Sequence, residues 1–351
     1  MALTAARPGA TRRVPDRGPA RRRSAPVLLL AGGVLVLLVL ASLAIGARSI
    51  PAGTVLDALT RYDPDDTDQL VVVTSRLPRT VLGLLVGAAL GLAGAVMQGV
   101  TRNPLADPGI LGVNGGAALA IVVGIGVFGV GSVSGYVWFA FAGAAGASVL
   151  VYSVAALGRE GATPVKLALA GAAVTAFFGA FTTALLLADQ QTFDQFRFWQ
   201  VGSLNGRDLG VTVRVLPFLL VGGVLALALG RGLNSLAMGD DVARGLGARV
   251  GLIRVLSAAA VVLLCGAATA AAGPVGFVGL TIPHAARALV GSDYRRILPT
   301  SMLLAPILLL TADVVGRVVA RPGEVQVAIV TAVLGAPVFV AIVRRHRLSG
   351  L

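Results

Sequence analysis

Few side chains in this sequence belong to the types that carry out chemistry. The histidines are His284 and His346, the single cysteine is Cys265 and the single lysine is Lys166. The sequence contains no His-Glu-x-x-His pair, no Gly-x-Ser-x-Gly turn and no Gly-x-x-x-x-Gly-Lys-Ser/Thr phosphate loop. One cysteine in an apolar run can build neither a disulfide framework nor a cysteine metal cluster within one chain. The sequence therefore predicts no catalytic residue, no metal site and no cofactor.

The composition is that of an integral membrane protein. Apolar residues make up 56% of the 351 residues and charged residues 13%, and the mean hydropathy is +0.87. An apolar run of about 20 residues can cross a hydrocarbon layer of roughly 30 Å as a helix, which satisfies its own backbone groups there. The expected fold is all-α, a polytopic membrane bundle of about ten transmembrane helices. The predicted spans are Val27–Gly46, Thr80–Gly99, Gly109–Val127, Tyr136–Leu157, Leu167–Ala188, Val211–Gly230, Leu252–Ala272, Val275–Val290, Ile297–Val315 and Val325–Val343.

The distribution of basic residues predicts the orientation. Residues 1–26 are expected to form a disordered basic tail rather than a cleaved signal peptide, because the apolar run that follows is longer than a usual signal core. Arginine and lysine number 19 on the side of both termini and 9 on the other, with Arg254 at a membrane edge. By the positive-inside rule both termini are cytoplasmic, which requires an even number of spans. Residues 27–343 then form the membrane domain and 344–351 a cytoplasmic tail, and the net charge of +13 indicates topology rather than nucleic-acid binding.

A polar, proline-bearing segment at Arg102–Pro108 interrupts the apolar runs before Leu111. Asn103, Asp107 and Asn114 could line a transport route, but the sequence favours a second role for them. At such a turn, polar side chains commonly bond the backbone groups that the turn sets free.

A second interruption lies in Gly276–His284. The eighth span is short and contains Gly276, Gly279 and Pro283, so it is expected to be two half-helices or one tilted element. His284 is expected to cap or pack at the end of that span. In the second span, glycines recur at every fourth position, Gly83, Gly87 and Gly91, which predicts a smooth face for close helix packing.

The spans themselves are nearly free of charged residues. Carriers coupled to protons or ions usually keep a titratable group near the middle of the membrane. Here Asp189 and Asp313 lie toward span ends, and Lys166 opens the fifth span. An ion-coupled carrier is therefore disfavoured, and a transporter without a phosphate loop needs ATP hydrolysis on a partner subunit.

The longest internal cytoplasmic segment, Arg231–Val250, contains a predicted short helix at 239–247. Two aspartates suit its N-terminal end, Asp240 and Arg244 form an i,i+4 pair, and Gly247 can end the helix in a left-handed conformation. An apolar stripe is expected on one side of the helix, formed by Val242, Leu246 and Val250. Such a helix can sit in a groove on another protein or lie on lipid, and the residues alone do not separate the two.

Motifs spread over residues 76–337 resemble the FecCD family of permeases, the iron-siderophore and cobalamin class of ABC importers. The matching residues are Arg76-Leu-Pro-Arg79, Gly94-Ala-Val-Met-Gln98, Asn103-Pro-Leu-Ala-Asp-Pro108, Leu111-Gly112, Trp199-x-x-Gly202-Ser203-Leu204, Ala243-Arg244-x-Leu246-Gly247, Gly276-Phe-Val-Gly-Leu280, Pro283-His284, Arg287, Ala312-Asp313, Arg317, Glu324 and Gly335-Ala-Pro337. Each motif is short, and their order along the chain makes the set specific.

The resemblance implies ten spans per subunit, two permease subunits, a dimer of cytoplasmic ATPases and an external substrate-binding protein. It implies that the permease meets acidic residues of the binding protein through Arg76, Arg79 and Arg317. It implies that a coupling helix seats on the ATPase through Gly239, Asp240, Asp241, Ala243, Arg244, Leu246 and Gly247. Span five and residues 195–204 resemble elements that line the pathway. Candidate pathway or gate residues are Gln98, Asn103, Asn114, Thr163, Pro164 and Trp199.

The implied function is that of a transport subunit, not an enzyme, which moves a ferric siderophore inward across a bacterial cell membrane. Cobalamin and haem are alternative cargoes, and an ion-coupled transporter or a membrane scaffold is a more distant alternative. The sequence does not choose the chelate, nor does it decide whether the second permease is another copy of this chain or a related one.

Overall fold

The computed structural model describes residues 20–46, 48–157 and 163–348, and all regular secondary structure in them is helical. The α-helices in these residues are α1 (Ala20–Ala44), α2 (Ala52–Thr60), α3 (Thr67–Val71), α4 (Leu77–Thr101), α5 (Val113–Gly126), α6 (Val133–Ala155), α7 (Pro164–Ala188), α8 (Gln190–Gln200), α9 (Leu209–Ala228), α10 (Gly230–Ala237), α11 (Asp240–Gly245), α12 (Val250–Ala272), α13 (Val278–Val290), α14 (Tyr294–Val319) and α15 (Val327–Leu348). A π-helical turn, Val72–Arg76, leads into α4, and a 3-10 turn, Pro108–Leu111, precedes α5.

Ten of these helices coincide with the ten predicted spans. Seven stretches in the described residues are long and apolar enough to cross a membrane: Pro26–Ala44, Thr67–Thr101, Gly135–Ala155, Val165–Ala188, Leu209–Ala228, Val250–Ala272 and Tyr294–Val319. Shorter apolar helices occupy Val113–Gly126 and Val327–Ala341, and α13 is the tenth. The predicted all-α membrane bundle is therefore confirmed.

The ends of the chain differ from the predicted tails. Helix α1 begins at Ala20, inside the stretch predicted to be disordered, and α15 continues to Leu348, inside the predicted C-terminal tail. Alanine, arginine and leucine favour helix, so an apolar span readily extends through such flanks. The rest of both predicted tails, residues 1–19 and 349–351, lies outside the described residues.

The eighth span is one short helix rather than two half-helices. Non-helical backbone follows Gly273, and α13 starts after Phe277, which has a left-handed φ of 66°. The helix then runs through Pro283 to Val290. Its 13 residues are only about 20 Å long, too short to cross a bilayer alone. Part of the irregular stretch before it packs against protein, as the contact of Pro274 with Gly202 illustrates, and Gly276 within it is exposed.

Helix α4 is the central element of the bundle, with contacts to α9, α12, α13 and α14. Its predicted glycine face lies against α14, where a Cβ at Gly87 would come within 2.7 Å of the Cα of Pro306. About two turns further on, a Cβ at Gly94 would overlap the carbonyl group of Gly279 in α13. Small residues therefore set the close approach of three helices, as they do in other membrane bundles.

The two ends of α4 define the two ends of the molecule. At its N-terminal end lie the last residues of α1 and α14, together with a small separate core that includes Leu43, Val55 and Val72. At its C-terminal end Arg102 meets the start of α11. Helix α1 ends and α15 begins beside the N-terminal end of α4. The start of α1 and the end of α15 therefore both lie toward the other end of the bundle. This agrees with an even number of crossings.

Candidate functional site

The N-terminal end of α4 carries a buried cluster of arginines and carboxylates, which we call the arginine cluster: Arg76, Arg79, Arg317 and Arg321 with Asp313 and Glu324. Arg79 is the centre of this cluster. Its Nε lies 3.0 Å and its Nη2 2.8 Å from Asp313 Oδ1, a two-pronged contact, and its Nη1 lies 2.7 Å from Glu324 Oε2. The side chains of Arg79 and Asp313 are 7% and 1% exposed. Paired and hydrogen-bonded in this way, the charges can remain buried.

The other arginines of the cluster hold the end of α1. Arg317 donates to the carbonyl oxygen of Ser42 at 2.7 Å and to its hydroxyl oxygen at 3.0 Å, and it also bonds Asp313. Arg76 donates to the carbonyl oxygen of Leu43 at 2.7 Å. Arg321 donates to that of Gly46 at 2.8 Å. The last carbonyl groups of a helix lack partners within the helix, and cationic donors suit that negative end.

This placement bears on the predicted docking arginines. All three lie at one end of the molecule, as the sequence predicted, but Arg76 and Arg79 are each 6% exposed and Arg317 is 2% exposed. Their guanidinium groups have acceptors within the chain. A carboxylate of another protein could therefore bind them only by replacing one of these acceptors, and Glu324, at 27% side-chain exposure, is the accessible one.

The C-terminal end of α4 carries a second charged group, the Asp240 cluster, formed by Arg102, Asp240 and Arg254. Asp240 Oδ2 accepts a hydrogen bond of 2.8 Å from Arg254 Nη2, and Asp240 Oδ1 lies 3.4 Å from Arg102 Nη2. The predicted pair of Asp240 with Arg244 is wrong. Asp240 points toward α12 and α4, and Arg244 instead pairs with Asp241 at 3.2 Å, one turn away on the exposed side of α11.

Helix α11 itself agrees with the predicted short helix. It runs from Asp240 to Gly245, Gly239 precedes it with a φ of 101°, and Gly247 follows with a φ of 81°. Ala243 of this helix is fully buried. These conformations are those that glycine adopts at low cost, which explains the glycines at both ends.

The apolar stripe of α11 differs in one member from the prediction. Val242 and Leu246 are 51% and 66% exposed, but Val250 is 4% exposed because it begins α12 and packs in the core. Met238, at the end of α10, is 54% exposed, but the non-helical Gly239 separates it from α11. Val242 and Leu246 therefore form the exposed apolar surface of α11.

Helix α10, which leads into α11, is fastened to α14 by Asn234. Its amide nitrogen donates to Asp293 Oδ1 at 2.6 Å, and its amide oxygen accepts from the backbone N–H of Tyr294 at 2.9 Å. Burial opposes ionisation of Asp293. Hydrogen bonds from the Asn234 side chain and the Arg295 backbone, and the nearby charges of Arg295 and Arg296, outweigh this effect and lower the pKa of Asp293 below its usual range. An ionised Asp293 also suits its position as the N-cap of α14.

Most of the pathway and gate candidates have contacts within the chain. Gln98 is 1% exposed; its amide nitrogen donates to the carbonyl of Leu280 at 3.1 Å, and its amide oxygen accepts from Arg287 at 2.8 Å. Gln98 thus joins α4 to α13. Trp199 is 2% exposed and packs against Phe196, and its Nε1 has no hydrogen-bond partner among the described residues.

The remaining candidates lie at turns and helix ends, or link two helices. Asn103 Oδ1 accepts from the backbone of Leu105 at 2.9 Å, the local role that the sequence favoured. Asn114 accepts from the hydroxyl group of Thr269 at 3.2 Å and so links α5 to α12. Thr163 caps α7, in which Pro164 is the first residue. Asp107, considered with them, accepts from the backbone of Gly109 at 2.8 Å. Whether any of them lines a pathway stays a prediction.

Sequence reasoning missed the partners that make both charged clusters. The i,i+4 spacing of Asp313 and Arg317 indicated an ion pair within one helix. Nothing in the sequence indicated that Arg79 also binds Asp313. Arg254 appeared only as a residue at a membrane edge. Arg102 and Arg254 flank spans on the side that also holds Asp240, and that shared side was the available clue.

The fold and these clusters define a class: a multi-pass helical membrane protein with two polar ends and an apolar interior. The sequence profile of the FecCD transport family matches residues 34–345, and the chain belongs to that family. It is thus the membrane permease subunit of an ABC importer, which works with ATPase and binding-protein partners.

Individual relatives align with nearly the whole chain. The ferric enterobactin transport system permease protein FepD of Escherichia coli is 48% identical over 91% of this chain and 96% of its own length. The siderophore transport system permease protein YfiZ of Bacillus subtilis is 43% identical over 89% of this chain and 93% of its own length. A solved structure of a metal-chelate type ABC transporter in an inward-facing conformation matches 91% of this chain and 99% of its own, with a TM-score of 0.80 and 30% identity.

Proposed function

We propose that this chain carries a ferric siderophore inward across a bacterial cell membrane, as one of two permease subunits driven by cytoplasmic ATPases. The observation that carries the cargo assignment is the 48% identity, over almost the full length, to a ferric enterobactin permease. The 43% identity to a siderophore permease supports the same chemical class. Both termini lie in the cytoplasm in this proposal, on the side with 19 of the 29 basic residues.

The ATPase contact in this proposal is α11. Its surface of Val242 and Leu246 is apolar, exposed and bordered by the charged Asp241–Arg244 pair. A short amphipathic helix of this kind fits a groove on a partner protein. ATP binding and hydrolysis would then bias two states of the permease, since the chain itself contains no phosphate loop.

The second permease subunit faces α7 in this proposal. Large apolar side chains stay exposed along most of that helix, among them Leu169, Phe177, Phe181 and Leu187. Lipid or a second subunit could cover them. The family's arrangement of paired permeases favours the subunit, with the cargo passing between the two permease subunits.

Cargo selection can be tested in vesicles that contain the permease, its ATPase and its binding protein. Uptake of radiolabelled iron as a catecholate, hydroxamate or citrate chelate is measured with ATP inside or outside the vesicles as the orientation requires. We expect at least one ferric siderophore to be imported and to be outcompeted by its own unlabelled form, but not by cobalamin. Import of cobalamin without import of any ferric chelate would contradict the cargo assignment.

We further propose that the binding protein docks at the arginine cluster by an exchange of partners. A carboxylate of the binding protein replaces Glu324 at Arg79 Nη1, while Asp313 keeps its two-pronged contact with the same arginine. Arg76 and Arg317 then contribute positive potential and hold α1 in place. Charge pairs of this kind fix the register of a complex and speed its formation.

The exchange predicts that Glu324→Gln tightens docking. The variant weakens the competitor of the incoming carboxylate without disturbing Asp313, so the Kd for the binding protein should fall about fivefold, which corresponds to about 1 kcal/mol. Asp65→Asn is the matched control, because it removes an exposed negative charge at the same end of the molecule. Equal effects of the two variants would indicate general electrostatics, and no effect of Glu324→Gln would contradict the exchange.

A further inference from the structure

Asp240 connects α11 to two different spans. Arg102 follows α4 as its C-cap, and Arg254 lies in the second turn of α12. Both contact the carboxylate of Asp240. Helix α11 is therefore tied not only to its chain neighbours but also to the central helix of the bundle and to α12.

The two contacts of Asp240 differ in strength. The pair with Arg254 is a hydrogen bond of 2.8 Å between side chains that are 20% and 21% exposed. The pair with Arg102 spans 3.4 Å, and the Oδ1 atom on that side accepts no hydrogen bond from the described residues. The Arg102 side chain is 41% exposed. The Arg254 contact is thus the firm connection and the Arg102 contact the loose one.

The backbone is constrained at Arg102 and at Gly239. Arg102 adopts a left-handed φ of 51°, which is uncommon for a residue with a side chain, and Gly239 directly before Asp240 has a φ of 101°. A Cβ at Gly239 would lie 3.8 Å from Arg102 Nη1, so the start of α11 sits directly beside that guanidinium. The end of α4 and the start of α11 are held in a defined relative position.

A small cavity adjoins Arg254. Four helices, α4, α6, α7 and α12, line this cavity together with the 3-10 turn Pro108–Leu111. The lining residues are Met97, Val100, Leu111, Tyr152, Leu167, Arg254, Ser257, Ala258 and Val261. The hydroxyl group of Ser257 is buried there without a partner among the described residues. The cavity volume of about 20 Å³ is room for one water molecule, so the packing beside Arg254 is slightly incomplete.

We propose that Asp240 is a positioning residue that transmits the displacement of α11 to α12 through Arg254, and to α4 through Arg102. This inference rests on the proposed ATPase contact of α11. When the ATPases close and move α11, the firm Arg254 contact makes α12 move with it. The loose Arg102 contact shortens or lengthens between the two states of the permease. The carboxylate of Asp240 therefore sets how far α4 moves together with α11.

The test uses the complete complex of permease, ATPase and binding protein in vesicles. Asp240→Asn should lower cargo uptake per ATP hydrolysed about tenfold. Arg254→Gln, whose position lies in α12 outside the proposed ATPase contact, should do the same while the amount of co-purified ATPase and its hydrolysis of ATP stay near the wild-type values. Asp240→Glu, which keeps the charge, should retain most of the uptake. A residue that only stabilised the fold would lower hydrolysis and uptake together.

Variants of the arginines provide a second measurement. Arg254→Gln should lower uptake per ATP as much as Asp240→Asn does, and the double variant should be no worse than either single one, since both break the same contact. Arg102→Gln should have a smaller effect. Additive losses in the double variant would overturn the proposal.

Two other outcomes distinguish this inference from the function on which it rests. Wild-type uptake per ATP in both Asp240→Asn and Arg254→Gln would overturn the transmission role and leave the ATPase contact intact. Co-purification of the ATPase with a chain that lacks residues 239–247 would instead remove the proposed contact of α11 itself.

Discussion

The arginine cluster and the Asp240 cluster occupy opposite ends of α4 and use the same residue types, yet they are built differently. In the first, Arg79, Asp313 and Arg317 are almost fully buried, and Arg79 and Arg317 each donate to more than one acceptor. In the second, one carboxylate serves two arginines and all three side chains are at least 20% exposed. A charge that is buried and fully bonded is costly to move, whereas a shared and hydrated one is not. The comparison indicates one end that fixes helices and another that can change.

Breaking the arginine cluster should have the largest effect on stability. Asp313→Asn leaves Arg79 and Arg317 in a buried site without their shared counter-charge, which costs about 3–5 kcal/mol. We expect a large fall in the thermal unfolding temperature of the detergent-solubilised chain. The matched control is Arg48→Gln, which removes an ion pair whose arginine is 72% exposed and should cost less than about 1 kcal/mol. Similar losses in the two variants would contradict the contrast between buried and exposed pairs.

The middle of α4 connects the two ends, and overpacking there should have an intermediate effect. Gly94→Ala places a methyl group against the backbone of Gly279, so α4 and α13 must separate, at a cost of about 1–3 kcal/mol. Thermal unfolding of the purified chain measures this cost. Gly179→Ala in α7 is the control, because no atom of the described residues lies within 4 Å of its added Cβ. If Gly94→Ala were as stable as Gly179→Ala, the close contact of α4 with α13 would be wrong.

The smallest change in stability is expected at the Asp240 cluster. Asp240→Asn removes one charge from a partly exposed site and leaves both arginines able to reach water, so it should cost about 1 kcal/mol or less. The same thermal measurement on Asp313→Asn and Asp240→Asn tests the comparison directly. A loss at Asp240 as large as that at Asp313 would mean that the second cluster also serves chiefly to hold the fold.

Hydropathy and glycine spacing predicted much of this fold because both act locally. The ten spans follow from runs of apolar residues, and the glycines that bound α11 follow from the conformations they adopt. The charged clusters did not follow, because Arg79 and Asp313 are 234 residues apart and meet only through tertiary packing. The Asp240–Arg244 pair failed for the same reason, since Arg254 of another helix competed for the carboxylate. Val250 was misplaced because helix spacing was extended past Gly247, where α11 has already ended.

The most direct test of the account is uptake of its ferric chelate into vesicles, with and without the ATPase subunits. The chain itself contains no phosphate loop, so its two states should interconvert productively only when ATP is hydrolysed by partners. We predict that vesicles with permease, binding protein and ATPase accumulate iron when ATP is supplied, and that vesicles without ATPase accumulate none. Accumulation against a gradient without the ATPase, abolished by a proton uncoupler, would contradict the account.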